Sequence, residues 1–73
     1  MMKVQIEYEF QTEQYAYRFL NTAMHMEAEA LKVKLGRSDH HVSVAYQYAD
    51  HAFDSTAADL DDLARELGGE EVR

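Results

Sequence analysis

The chain has 73 residues, room for one small domain spanning 1–73 whose core is marginal unless a disulfide, a metal or a partner supports it. It contains no cysteine, which excludes disulfides and thiolate metal sites. Its formal charge of −7 is lopsided: residues 1–37 set five acids against five bases, and residues 38–73 set nine acids against Arg65 and Arg73, so a nucleic-acid backbone or an anionic membrane surface would be repelled.

The first segment alternates. Val4, Ile6, Tyr8 and Phe10 share one side and Lys3, Gln5, Glu7 and Glu9 the other, a period of two that predicts a half-buried strand over 3–10. The same segment has neither the apolar run of a secretory signal nor the ~20 apolar residues of a bilayer span. With the absence of cysteine, this leads us to expect a cytoplasmic protein.

A helix is predicted over 12–35. Thr12 offers a capping hydroxyl and Glu13 a first-turn acid. Ala16, Phe19, Leu20, Ala23, Met26, Ala30 and Leu31 recur at helical spacing with no glycine or proline between 13 and 35. Gly36 would end it, with Lys32, Lys34 and Arg37 facing its negative pole. Such a helix would overhang an eight-residue strand and leave Leu31 and Leu35 wet.

After a polar turn, 41–49 alternates again and predicts a second strand. Its pattern, Val42-Ser43-Val44-Ala45-Tyr46-Gln47-Tyr48, repeats Val4-Gln5-Ile6-Glu7-Tyr8-Glu9-Phe10 at an offset of 38. Residues 55–67 then carry Ala57, Leu60, Leu63, Ala64 and Leu67 as an apolar stripe, stopped by Gly68-Gly69. Asp54, Ser55 and Thr56 are candidate caps. Asp61 and Arg65 stand four apart and could pair. Residues 70–73 read as a frayed tail.

The predicted fold is therefore an α/β two-layer sandwich of order β-α-β-α, with two parallel strands. Two strands are too few for a stable sheet, and each would leave an open edge. The expected remedy is a homodimer whose two half-sheets join into one four-stranded sheet or pack face to face.

Chemistry is thinly supplied. His25 and Glu29 would share a face of the long helix and could form half of a metal site. His40 and His41 point to opposite sides of a strand, and no HExxH, Walker or GxGxxG pattern occurs. Ser38, Ser43 and Ser55 show no spacing that builds a nucleophile–base pair. No cofactor and no catalytic residue are expected. Tyr8, Tyr46 and Tyr48 fall on the apolar strand phase and read as core rather than as a base-stacking platform. Met24-His25-Met26 is a small cluster of adaptable side chains, read first as packing and second as a peptide-binding surface. Asp59, Asp62 and Glu66 form an acidic strip on the last helix. The sequence thus favours a small acidic homodimeric interaction or regulatory module without catalytic activity, using Asp59, Asp62, Glu66, Leu31 and Leu35 and open to a basic partner. The alternative is a ligand- or metal-binding dimer with its site across the subunit interface.

Overall fold

The computed structural model describes residues 1–72. Its elements run β1 (Met2–Glu9), α1 (Glu13–Ala23), β2 (Glu29–Leu35), β3 (His41–Tyr48), α2 (Thr56–Glu66) and β4 (Glu70–Glu71). The four strands form one antiparallel sheet in the order β2-β3-β1-β4. Each helix therefore links strands that are parallel to each other and separated by a third strand running the opposite way. This is the β-α-β-β-α-β, ferredoxin-like order. It is an α+β fold rather than the β-α-β-α sandwich predicted.

The repeated segments are β1 and β3, and they are neighbours. Val4 pairs with Tyr46, Ile6 with Val44, and Tyr8 with Val42. The 38-residue offset maps Val4 onto Val42 and Tyr8 onto Tyr46, so the Val4–Tyr46 pair maps onto the Val42–Tyr8 pair. The repeat is a pseudo-two-fold axis through the centre of the sheet. Its two strands are antiparallel, not parallel as expected from a direct crossover, because β2 is the true end of the first crossover and β3 inserts between it and β1.

One sheet face carries both helices. Tyr8, Phe10, Val42, Val44 and Tyr46 meet Ala16, Phe19 and Ala23 of α1 and Leu60 and Ala64 of α2, and all of these are buried. Phe19 sits between the rings of Tyr8 and Phe10, each with its centroid 5.0 Å away. Its full burial is worth roughly 2–3 kcal/mol. Thr12 caps α1 as expected, its hydroxyl accepting from the Tyr15 amide at 3.2 Å. At α2 the N-cap position is Ser55, whose side chain makes no capping bond; Asp54 Oδ1 instead accepts from the Ala57 amide in the first turn at 3.3 Å. Gly68 takes the left-handed conformation (φ 74°) that closes α2, and a side chain at Gly69 would run into the Phe10 ring.

The largest departure from the sequence reading is the stretch 24–35. The predicted helix 12–35 stops at Ala23, and residues 29–35 form the edge strand β2. Leu31, Val33 and Leu35 alternate with Lys32 and Lys34, the same period of two that marks β1 and β3. Helix-forming residues and the lack of a breaker masked it, and pairing with β3 prevails. Leu31 packs against the core and Leu35 stays 42% exposed at the strand end, so the apolar helical overhang does not exist. Gly36 lies in the β2–β3 connection. The tail expected to fray supplies β4: Glu71 pairs with Tyr8, and the Val72 amide donates to the Glu7 carbonyl at 2.7 Å. Arg73 lies outside the described residues.

The sheet that a second subunit was expected to complete is thus built within one chain. The strand edges are also defended. β4 is two residues long, and β2 carries two lysines and a register shift between Glu29 and Lys32, devices that discourage edge-to-edge pairing.

Candidate functional site: the open face of the sheet

Because both helices lie on one face, the other is bare. It presents Lys3, Gln5, Glu7 and Glu9 of β1, His41, Ser43, Ala45 and Gln47 of β3, and Glu29, Lys32 and Lys34 of β2. The pairing register arranges them in rows across the strands: Glu29–Gln47–Lys3, Lys32–Ala45–Gln5, and Lys34–Ser43–Glu7. The centre of the face is small. Ser43 is only 7% exposed between its larger neighbours, and Gln5 Nε2 donates to its hydroxyl at 3.4 Å.

Charge on this face is sorted. Lys32 and Lys34 lie on the β2 side, with no carboxylate within ion-pair distance among the described residues. Glu7 and Glu9 lie on the β1 side. The Arg37 guanidinium, with Nε 3.0 Å from Glu7 Oε2, holds the Glu7 carboxyl below its ordinary value of 4.5, against a smaller opposing effect of desolvation. A shallow depression of about 400 Å³ opens at one end, lined in part by Lys3, Gln5, Lys32, Ala45 and Gln47. Ala30 forms part of its rim with φ 53°, a left-handed conformation that costs a non-glycine residue about 1–2 kcal/mol.

At the opposite end of the sheet, Ser38 Oγ lies 2.5 Å from His41 Nδ1, and His41 Nε2 lies 3.4 Å from Glu9 Oε2. The order hydroxyl, imidazole, carboxylate is that of a nucleophilic triad. Sequence spacing gave no sign of it, because Glu9 arrives from β1. Ser38 and His41 are also bonded into the turn. The Ser38 hydroxyl is held by the His40 amide at 3.2 Å, and the His41 amide donates to the Ser38 carbonyl at 3.1 Å. The nearest guanidinium, Arg37, is engaged by Glu7. The bonds to Ser38 tie Ser38, His40 and His41 together in the turn that closes the β2–β3 connection.

The residues singled out from the sequence are dispersed. His25 follows the end of α1 and Glu29 opens β2, both exposed, so the helical i, i+4 pairing proposed for them is absent. No cluster of three or more His, Asp or Glu side chains able to hold a metal occurs among the described residues. Asp59, Asp62 and Glu66 are exposed on α2. Arg65 reaches Asp62 at 3.7 Å and not Asp61, because Asp61 accepts a 2.5 Å hydrogen bond from the Tyr8 hydroxyl. Tyr46 makes the equivalent bond to Asp54, at 2.8 Å. Burial, reinforced by these carboxylates, pushes both phenols well above the ordinary tyrosine value.

No helix among the described residues is long and apolar enough to cross a membrane. The chain matches no protein-family model, and no curated protein and no solved structure shows significant similarity to it. The ferredoxin-like order carries no activity by itself, so function has to be argued from the surfaces.

Proposed function

We propose that this chain acts by association rather than by chemistry of its own, as a small interaction module, in keeping with a cysteine-free cytoplasmic protein, of which two copies meet through the open face of the sheet. The observation that carries this is the row pattern of that face. Place a two-fold axis along β3, between two facing sheets. Glu29 of each copy then lies over Lys3 of the other, Lys34 over Glu7, and Lys32 over Gln5. The small residues Ser43 and Ala45 fall on the axis, where they permit close approach. An axis across the strands would instead set Lys32 over Lys34, a like-charge contact that opposes pairing. The face is thus complementary to itself in one orientation, as an isologous interface must be.

The contact is modest. The three long strands, about 4.8 Å apart and some 25 Å long, give a footprint of about 360 Å² per copy, roughly 700 Å² in all, below the range of stable specific interfaces and in the range of weak, transient ones. It is also polar, so the dimer is weak and salt-sensitive. Sedimentation equilibrium up to ~1 mM protein in low salt tests it. The expected result is a monomer–dimer equilibrium that weakens with salt, and Lys34→Glu is expected to weaken it by about tenfold, ~1.4 kcal/mol. A monomer throughout that range contradicts the proposal.

The depression supports a second reading on the same face. The axis passes over Ala45, so the depressions of two copies face each other and bring Lys3, Lys32, Gln5 and Gln47 from both around one space. Ammonium groups and amides suit a small dicarboxylate or phosphate. Calorimetric titration with succinate and with inorganic phosphate tests this, and no heat with either at millimolar concentration removes it.

A further inference from the structure

The open face does not account for the most exposed apolar side chains. Three segments meet at the end of the sheet where β1 begins: the amino terminus, the α1–β2 connection and the β3–α2 connection. Met2 pairs with Tyr48 and Glu29 with Gln47. The Met1 amino group lies 3.2 Å from Asp50 Oδ1 in the β3–α2 connection. All four methionines of the chain are in these segments. Met1, Met2 and Met24 are 59%, 48% and 49% exposed, and Phe53 in the β3–α2 connection is 88% exposed. Isolated exposed apolar residues are ordinary, but a grouped set is a mark of a binding surface. Unbranched thioether chains suit a surface that adapts to its partner.

The surrounding charge says what the partner looks like. Glu27 follows Met26, and Asp59 stands in the first turn of α2. Both are exposed and have no ion-pair partner among the described residues; Lys3, the unpaired base at this end, belongs to the opposite strand phase from Met2 and lies on the open face. We infer that this methionine-rich end, centred on Phe53, is a docking surface for a basic amphipathic helical segment of another protein, its apolar stripe on Phe53, Met1, Met2 and Met24 and its lysines or arginines toward Glu27 and Asp59. This is the mode in which an amphipathic helix lays its apolar face on a hydrophobic surface. The acid rim argues against an anionic membrane as the occupant. The inference rests on the chain being an interaction module but not on self-association, since the surface is at the end of the sheet and not on its open face.

The test uses the full chain with ¹³C-labelled methionine methyl groups and three synthetic peptides of about 16 residues, roughly four helical turns. One has leucine at i, i+3, i+4 and i+7 with lysine elsewhere. The second keeps the lysines and replaces every leucine by serine. The third keeps the leucines and replaces lysine by glutamate. The expected result is saturable binding of the leucine–lysine peptide with shifts of the Met1, Met2 and Met24 methyl signals, at least tenfold weaker binding of the other two, and at least a tenfold loss on Phe53→Ser. A Met24→Gln variant gives a second check, and thermal melting confirms that both variants fold. Lys34→Glu is expected to bind the peptide unchanged, which separates this surface from the open face. Equal binding of the lysine–serine peptide would reduce the effect to bulk charge and overturn the inference. Methyl shifts with phosphatidylcholine–phosphatidylserine vesicles but not with the peptide would overturn it in favour of a membrane surface, and no methyl response to any probe would overturn it outright.

Discussion

Two phenols tie helix α2 to the sheet. Tyr8 and Tyr46 occupy equivalent places about the pseudo-two-fold axis, each with a buried ring and a hydroxyl that reaches a carboxylate, Asp61 within α2 and Asp54 just before it. Asp54 does double service, since its other oxygen accepts from the Ala57 amide in the first turn of the helix. A hydrogen bond to a charged acceptor is worth roughly 1.5–3 kcal/mol, so Tyr8→Phe is expected to lower stability by about 2 kcal/mol in urea denaturation. Tyr46→Phe is expected to lower it less, because Asp54 keeps its bond to the first turn. Both phenols titrate above their unfolded value of 10.0. The folded state therefore holds these protons more tightly, and the stability they contribute is full below pH 10 and lost as pH rises beyond it. Denaturation curves taken at rising pH are expected to fall from about pH 10 upward in the parent protein and less steeply in Tyr8→Phe. A parallel fall in both would remove this cause. The alternation in β1 and β3 was enough to place both tyrosines in the core. Their partners were not legible, because an aspartate near a helix start already has two local explanations, the cap and the dipole. Only the docking of α2 on the sheet decides which aspartate meets a phenol.

At the scale of elements, both central strands and the second helix can be read from the sequence to within a residue or so. Their periods are unambiguous, and Gly68-Gly69 punctuates the end of α2. The stretch 24–35 could not be read that way. Leu31 to Leu35 obeys a strand period over only five residues, in a segment whose alanines, leucines, lysines and glutamates all suit a helix, and nothing in it breaks a helix. What makes it a strand is β3, a distant partner whose edge would otherwise be open. The strain is local to the join. Ala30 takes a positive φ where β2 shifts register against β3. Replacing it with glycine removes a cost of about 1–2 kcal/mol and adds back about 0.5–1 kcal/mol of chain entropy. Ala30→Gly is therefore expected to stabilise by about 0.5 kcal/mol, and Ala30→Val to destabilise by at least ~1 kcal/mol, since a branched side chain is poorly tolerated there. Thermal melts of the two variants check the pair. A stabilised valine variant would mean that this turn is not left-handed in solution.

For the whole molecule, four strands in one chain change the argument for a dimer. The sequence suggested a partner because two strands cannot stand alone. That need is met internally, by β2 and β4, and the edges are short or guarded. The reason to look for a second copy is now the bare face, where the second member of the repeat, with Ser43 and Ala45, forms a small centre between a lysine column and a glutamate column. The earlier site residues spread apart for the same reason: the helix that was to carry Leu31, Leu35, His25 and Glu29 is not one element. The charge columns allow a test that fold damage cannot imitate. In Lys34→Glu, position 34 repels Glu7 of a second identical copy; in Glu7→Lys, position 7 repels Lys34. Mixed together, the two variants restore opposite charges at both contacts. Sedimentation of each variant alone and of an equimolar mixture, at ~1 mM in low salt, measures this directly. Two variants that each dimerise about tenfold more weakly than the parent, and a mixture that recovers the parent's dimerisation, are the expected result. A mixture that sediments no differently from its components would contradict the open face as the place where two copies meet.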